Sequence, residues 1–222
     1  MNFPQINFLP EISEVFPNLK LGCLLSSVIV EETSEELVQK MKVEIDSLST
    51  QLDAETIREL PPVKALKQSY RVLGKDPNRY RPAAESLLRR VSNGKGLYHV
   101  NNVVDCLNLV SVKTGFSICG YDLRRIKGDV SLGKGQPGEP YEGIGRGELN
   151  IENLPVFRDE TGAFGTPTSD SSRTLIDTET QSVLMIIPSF DGDNEGLERA
   201  AEMLSAVLRQ YVRNSSPQVI LK

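Results

Sequence analysis

Most of the side chains that could do chemistry lie in one stretch, Gly94–Asp129. It holds the only histidine of the chain, His99, and two of the three cysteines. Histidine titrates near neutral pH, so His99 is a candidate general base. A lone histidine between an aromatic and an aliphatic neighbour is also typical of a packed or capping residue. Both interpretations of His99 stay open.

A stripe of short polar side chains follows the helix predicted over residues 101–113. Asn101, Asp105, Asn108 and Val112 recur at helical spacing, which places them on one face. Short amides and carboxylates can orient a ligand, and they can also tie down neighbouring loops as a buried hydrogen-bond network. The spacing alone favours the second interpretation.

Other reactive groups give weaker signals. Cys119 is enclosed in a strand-like run, which predicts a buried, inert thiol. Gly120–Asp122 is interpreted as a turn, and Ser169–Ser172 as a polar turn that could cap a helix or position water. The sequence contains no GxSxG, Walker, GxGxxG or HExxH motif, and its cysteines lack metal-ligand spacing. We expect neither a metal nor a cofactor.

Charge is distributed unevenly along the chain. The net charge is −7 over residues 1–57, +9 over residues 58–134 and −7 over residues 135–222. A basic middle segment can bind phosphates or another polyanion, and it can equally be a solvated surface with internal ion pairs. The candidate phosphate-binding residues are Arg81, Arg89, Arg90, Lys95, Arg124 and Arg125.

The elements that must position these groups follow from hydrophobic periodicity and capping residues. The sequence predicts helices over residues 34–48, 61–73, 82–93, 101–113 and 194–212, with a short helix or turn over 47–60. It predicts strands over residues 21–30, 116–119, 128–132, 155–158, 163–166 and 182–188, and a loop over 133–150. Helices lie mainly early and at the end, with strands between, which favours an α+β fold.

Length and composition restrict the class of protein. A chain of 222 residues can bury a substantial core as one large or two small domains. No apolar run approaches the ~20 residues that span a bilayer, and the N-terminus lacks the pattern of a signal peptide. An odd number of cysteines suits a reducing compartment. We therefore expect a cytoplasmic protein that does not associate with membranes.

Three segments, NNVVDCLNLVSVKTG, GYDLRRIKGD and DTETQSVLMIIPSF, resemble the editing module of the phenylalanyl-tRNA synthetase beta chain. The resemblance covers about residues 81–190 and implies packed β-sheets in a sandwich of unusual topology, flanked by helices. The chain lacks anything like the synthetase catalytic core, so it resembles a free-standing module and not a full ligase. Residues 1–60 are then an N-terminal strand and helix packed on the core. Residues 61–222 are the editing-like tRNA-binding domain, in one compact unit overall.

The resemblance also implies an activity, the hydrolysis of a wrong amino acid from tRNA by a positioned water. The implied partners are tRNA or aminoacyl-tRNA and a small amino-acid-like ligand. The implied pocket residues are Asn102, Asp105, Asn108, Cys119, Gly120, Tyr121 and Asp122, with Asp170 or His99 orienting the water.

Two positions depart from the family pattern. Cys119 stands where the synthetase has a histidine, and residues 167–173 lack its Gly-Gly-Glu-His segment, with Asp170 as the nearest replacement. The alternatives to a deacylase are therefore a non-catalytic module that binds tRNA or an amino acid, and a different small-molecule enzyme that uses the same pocket.

Overall fold

The computed structural model describes residues 2–222. At its centre lies strand β9 (Ser182–Ser189), whose side chains are all buried. They alternate between two apolar clusters, with Val183, Met185 and Ile187 on one side and Leu184 and Ile186 on the other. A strand that is apolar on both faces must be covered on both, so β9 fixes the layered arrangement of the molecule.

Two four-stranded sheets are present in residues 2–222. The central sheet has the order β10 (Gln218–Leu221), β2 (Lys20–Ser27), β9 and β3 (Cys119–Asp122), with antiparallel neighbours. The outer sheet has the order β1 (Ile6–Phe8), β4 (Val130–Lys134), β7 (Pro155–Asp159) and β8 (Gly162–Gly165). In it, β1 runs parallel to β4. A short hairpin joins β5 (Glu142–Gly143) to β6 (Gly147–Glu148).

The helices are α1 (Pro10–Ser13), α2 (Glu35–Ser49), α3 (Ala54–Glu59), α4 (Pro61–Leu73), α5 (Ala83–Ser92), α6 (Asn102–Thr114) and α7 (Asn194–Tyr211). Local signals set several of their ends. The Ser34 and Asn101 side chains accept hydrogen bonds from the first turns of α2 and α6. Gly115 ends α6 with a left-handed φ of 78°, a conformation that glycine adopts without steric cost.

Three layers result from this packing. The two sheets enclose an apolar cluster that includes Leu25, Tyr121, Phe157 and Phe164. The other face of the central sheet packs on α6 and α7 through residues such as Leu107 and Leu204. The molecule is therefore α+β, as the order of the predicted elements favoured, and a sandwich of packed sheets flanked by helices, as the resemblance implied.

Some predicted elements were wrong. Gly120–Asp122 is not a turn but most of strand β3, because it pairs with β9 from Cys119↔Ile186 to Asp122↔Val183. The predicted loop over residues 133–150 contains the β5–β6 hairpin. Periodicity also missed α1, β1 and β10, since elements of three or four residues are too short to show it.

No helix within residues 2–222 is both long enough and apolar enough to cross a membrane.

Candidate functional site

A tight turn after β8 fixes the position of Asp170. Thr166 Oγ1 accepts hydrogen bonds from the backbone N–H groups of Thr168 and Ser169. The Tyr141 hydroxyl donates to the carbonyl oxygen of Ser169 at 2.6 Å. Side chains of the turn and one tyrosine from the loop before β5 therefore set the backbone path into Asp170.

The Asp170 carboxyl group is buried, although the residue as a whole is half-buried. Its Oδ2 accepts a hydrogen bond from the backbone N–H of Gly120 at 3.0 Å. Its Oδ1 has no hydrogen-bond partner within residues 2–222. Burial disfavours the charged form and raises the pKa of Asp170 to about 7, while the Gly120 N–H opposes this shift. A carboxyl group with this pKa is suited to proton transfer near neutral pH.

Cys119 and Tyr121 lie against Asp170 in the layer between the sheets. Burial raises the pKa values of the Cys119 thiol and the Tyr121 hydroxyl well above their ordinary values. The neighbouring Asp170 carboxylate raises both pKa values further. The Tyr121 ring packs edge-on against Phe164, with ring centroids 4.8 Å apart. Among the described residues its hydroxyl finds no hydrogen-bond partner. Cys119 is therefore a buried, protonated thiol, as the sequence predicted.

Two glycines allow this close packing. A Cβ at Gly165 would lie 2.0 Å from the Tyr121 hydroxyl oxygen. A Cβ at Gly120 would lie 2.7 Å from Leu107 Cδ1. The missing side chain at Gly120 thus lets α6 approach β3 closely, and the Gly120 N–H group donates its hydrogen bond to Asp170.

An open cleft of about 670 Å³ lies beside the Asp170 turn. Its polar lining includes Tyr141, Glu142, Glu148, Ser171, Ser172 and Arg173. Arg173 is held by Asp159, whose oxygens lie 2.9 and 3.0 Å from the guanidinium. The volume falls within the range of small-molecule sites. Ser171 lines the cleft whereas Asp170 does not, so the Asp170 carboxyl group does not open into the cleft.

The N-terminal part of α6 ties down a neighbouring loop. Asn102 accepts a hydrogen bond from the N–H of Glu31 and donates one to the carbonyl of Ile29, both at 3.0 Å. Asp105 is fully buried and accepts a hydrogen bond from the Thr33 hydroxyl at 2.8 Å. The Asp105 contact matches the hydrogen-bond network that the spacing of the stripe favoured, whereas Asn102 lies outside the stripe.

His99 belongs to the same network. Its Nδ1 lies 2.7 Å from Asp105 Oδ2, and its side chain is 45% exposed. Asn108 is half-buried, and none of the loop hydrogen bonds of the stripe involves it. His99 is thus bonded to α6, whereas Asp170 is bonded to β3. The structure does not bring the two predicted catalytic residues together.

Asp122 anchors the turn after β3. Its carboxylate accepts hydrogen bonds from the N–H of Arg124 and the hydroxyl of Thr180, and it lies 3.4 Å from Arg125 Nε. Arg125 also pairs with Asp177. Arg125 therefore lies beside two carboxylates, Arg124 contributes its backbone N–H to this turn, and Asp122 has a structural role.

The other four predicted phosphate-binding residues line one groove of about 330 Å³ along α5. We call it the α5 groove, and it is lined by Arg81, Arg89, Arg90, Lys95, Ser86 and Asn93. Behind it, the buried Glu85 bonds to Lys67 at 2.8 Å and Arg89 at 2.9 Å, with Arg81 at 3.9 Å. One carboxylate thus faces three cations, and the groove keeps a positive charge.

Sequence reasoning missed the contributions of Tyr70 and Tyr141 to this region. Tyr70 lies on α4, and its hydroxyl is 2.8 Å from that of Thr168, 98 residues away. No local sequence pattern predicts such a contact, because it depends on how α4 packs against the turn. Nowhere in residues 2–222 do three or more His, Cys, Asp or Glu side chains form a group that could hold a metal ion.

Comparisons with known proteins agree with this architecture. A family model described as the B3/4 domain matches residues 65–220. No curated protein matches the chain. The fold is similar to that of an N-terminal fragment of the phenylalanyl-tRNA synthetase beta-subunit from Pyrococcus horikoshii, with a TM-score of 0.50 and 10% sequence identity. The match covers 98% of this chain and 54% of that one, so this chain spans about half of its length.

Proposed function

The chain belongs to the B3/4 domain family, and from that premise we propose that it binds tRNA and hydrolyses the ester of a wrongly attached amino acid in trans. The structurally similar protein is a subunit of phenylalanyl-tRNA synthetase. Three segments of the sequence, in helix α6, at the end of β3 and in strand β9, resemble the editing module of that subunit. In this proposal the chain acts as an editing module.

The distribution of charge is the observation that most supports RNA binding. Residues 58–95 contain ten basic and three acidic side chains. Of the acidic ones, Glu85 is buried among cations and Glu59 pairs with Lys64. The surface of residues 58–95, which include α4 and α5, is therefore positive in a protein whose net charge is −5. Such a surface attracts the phosphate backbone of a nucleic acid.

The cleft beside Asp170 is the proposed site for the aminoacyl end. Glu142 and Glu148 in its lining suit the α-ammonium group of an amino acid, since opposite charges attract. The hydroxyls of Ser171 and Ser172 can donate hydrogen bonds to the oxyanion that develops on the ester carbonyl. Asp170, with a pKa of about 7, is the proposed base that takes a proton from the attacking water. A small movement of the Ser169–Ser171 backbone is needed to bring its carboxyl group to the cleft.

A non-catalytic tRNA-binding module is the second candidate. The Asp170 carboxyl is buried and Asp170 does not line the cleft, which favours this candidate. So does the inert, buried Cys119, at the position where the resemblance places the synthetase histidine. In that case the basic surface binds RNA and the cleft performs no hydrolysis.

A panel of mischarged tRNAs distinguishes the two candidates. The purified chain is incubated with tyrosyl-tRNAPhe and tRNAs carrying other wrong amino acids, and the released amino acid is compared with a buffer control. The deacylase proposal expects faster release, with a large loss of rate in Asp170→Asn and none in Arg199→Gln, which alters an exposed residue of α7.

Binding is measured on the same tRNAs by filter retention at several salt concentrations. Affinity should fall steeply as salt rises, because phosphate contacts release counterions. If the chain binds these tRNAs but releases no amino acid from any of them, the deacylase proposal is overturned and the binding module remains. Neither binding nor release would overturn both.

A further inference from the structure

Tyr98 presents an aromatic ring to solvent at the end of the α5 groove. The residue is 69% exposed, although large apolar and aromatic surfaces are normally buried. The Arg90 guanidinium carbon lies 3.8 Å from the ring centroid, so one face of the ring is covered by a cation. The exposure of the residue leaves the other face open. This ring is a flat platform with a positive charge behind it.

Arg90 is itself held rigidly beneath the ring. Its guanidinium donates hydrogen bonds to the carbonyls of Gly96 and Lys95 and to the Tyr98 hydroxyl. Carbonyls and a hydroxyl do not neutralise a guanidinium, so its charge remains. Because the arginine is fixed in advance, the ring loses little conformational freedom when a ligand stacks on it.

The α5 groove continues from this platform along the helix. Its cations begin at Arg81, before α5, and end at Lys95, after it. The ten residues of α5 span about 15 Å at 1.5 Å per residue. The groove is thus long enough for a chain of phosphates and is not limited to a single anion.

We propose that Tyr98 and the α5 groove form a subsite for unpaired nucleotides of RNA, separate from the cleft beside Asp170. One base stacks on the open face of Tyr98, and the phosphates that flank it lie among Arg81, Arg89 and Lys95. Single strands are bound in this way, by aromatic platforms beside a basic groove. A duplex keeps the faces of its bases stacked inside and cannot use the platform. The subsite rests on the RNA binding proposed above, and it specifies that the bound part of the RNA is single-stranded.

A short single-stranded RNA with 2-aminopurine at one position tests the platform, since stacking quenches the fluorescence of this base. The wild-type chain should bind the RNA and quench the signal. Tyr98→Ala should weaken binding by at least about fivefold and abolish the quenching, because a stacked base is a large part of single-strand affinity. Tyr98→Phe keeps the ring and should retain both properties. Val43→Ala, at an exposed position on α2, is the control.

The groove is tested by the salt dependence of the same binding. Arg89→Gln should lower the slope of log K against log salt by about 0.7 for each phosphate that the variant no longer neutralises. Arg199→Gln on α7 should leave the slope unchanged. Because Arg89 also bonds to Glu85, circular dichroism and the melting temperature verify that the variant is folded. An unchanged slope in a folded Arg89→Gln would overturn the groove assignment.

The outcomes for the subsite and for the proposed function can be told apart. If Tyr98→Ala binds single-stranded RNA as the wild type does, or if a duplex of the same sequence binds equally well, the subsite is overturned. Deacylation of mischarged tRNA by the wild type then still stands. If single-stranded RNA quenches on Tyr98 while no mischarged tRNA is deacylated, the subsite stands and the hydrolytic function is overturned.

Discussion

At Asp170, a buried carboxyl group makes the stability of the fold depend on pH. Its ordinary pKa is 3.8, and burial raises the pKa to about 7 in the folded state. Between these values the folded protein keeps a proton that the unfolded chain has released. The stabilisation from this proton is fully present below about pH 3.8 and is lost as pH rises through about 7. A shift of about three pKa units corresponds to about 4 kcal/mol.

We therefore expect Asp170→Asn to be more stable than the wild type at pH 8 and to lose this advantage at acid pH. Asparagine cannot ionise, and its oxygen can still accept the hydrogen bond from Gly120. Urea unfolding of both proteins at steps from pH 4 to 8 measures the difference, which should grow by about 4 kcal/mol over this range. Asp46→Asn, at an exposed position on α2, is the control. Parallel stability curves for wild type and Asp170→Asn would contradict the assignment.

At the scale of elements, one end of α6 fastens the loop that joins β2 to α2. Asn102 makes two hydrogen bonds to the backbone of that loop, at Ile29 and Glu31. Truncating Asn102 leaves two partly buried backbone groups without this partner, which costs about 1–3 kcal/mol each. Asn108 lies on the same helix and is half-buried, but it makes neither of these contacts.

We expect Asn102→Ala to lower the free energy of unfolding by about 2–4 kcal/mol and Asn108→Ala to lower it by less than about 1 kcal/mol. Denaturant unfolding measures both values. Hydrogen exchange locates the effect, since the Glu31 amide should exchange much faster in Asn102→Ala than in Asn108→Ala. Equal losses of stability in the two variants would show that the loop contacts contribute little.

Local chemistry predicts element ends better than it predicts pairing. Ser34, Asn101 and Gly115 act within one turn of their helices, and the predicted ends of α2 and α6 lie within one residue of the observed ends. Gly120 to Asp122 has the composition of a turn, yet it forms an edge strand because β9, more than 60 residues later, pairs with it. Tertiary contacts determine that this segment is a strand, and such contacts are not visible in the local sequence pattern.

In the candidate site, too, the sequence predicted features set by local spacing and missed features set by tertiary contacts. The spacing of Asn101, Asp105 and Asn108 on one face of α6 followed from the helical period. The position of Asp170 did not, because it depends on the Gly120 N–H, 50 residues earlier in the chain. The raised pKa of Asp170 could not be predicted from the sequence either. Ser169–Ser172 has the composition of an exposed polar turn, but the pKa is raised because the carboxyl group is buried.

Across the whole molecule, the first 60 residues are built into both sheets. Strand β2 lies between β9 and β10; it pairs with β9 along its whole length and with β10 over Gly22–Leu25. Strand β1 extends the outer sheet by pairing with β4. Removing β2 would expose one edge of β9 and leave β10 without its partner. Leu21, Cys23 and Leu25 would also be lost from the layer between the sheets.

We therefore expect residues 1–60 and 61–222 to fold and unfold as one cooperative unit. Calorimetry of the whole chain should give a single transition in which the calorimetric and van't Hoff enthalpies agree. A chain that begins at residue 61 should lack a cooperative transition, because the missing strand leaves large apolar surfaces uncovered. A chain that begins at residue 3 keeps every helix and strand and should melt like the full chain. A cooperative, well-folded fragment 61–222 would show instead that the N-terminal segment is an accessory to an independent domain.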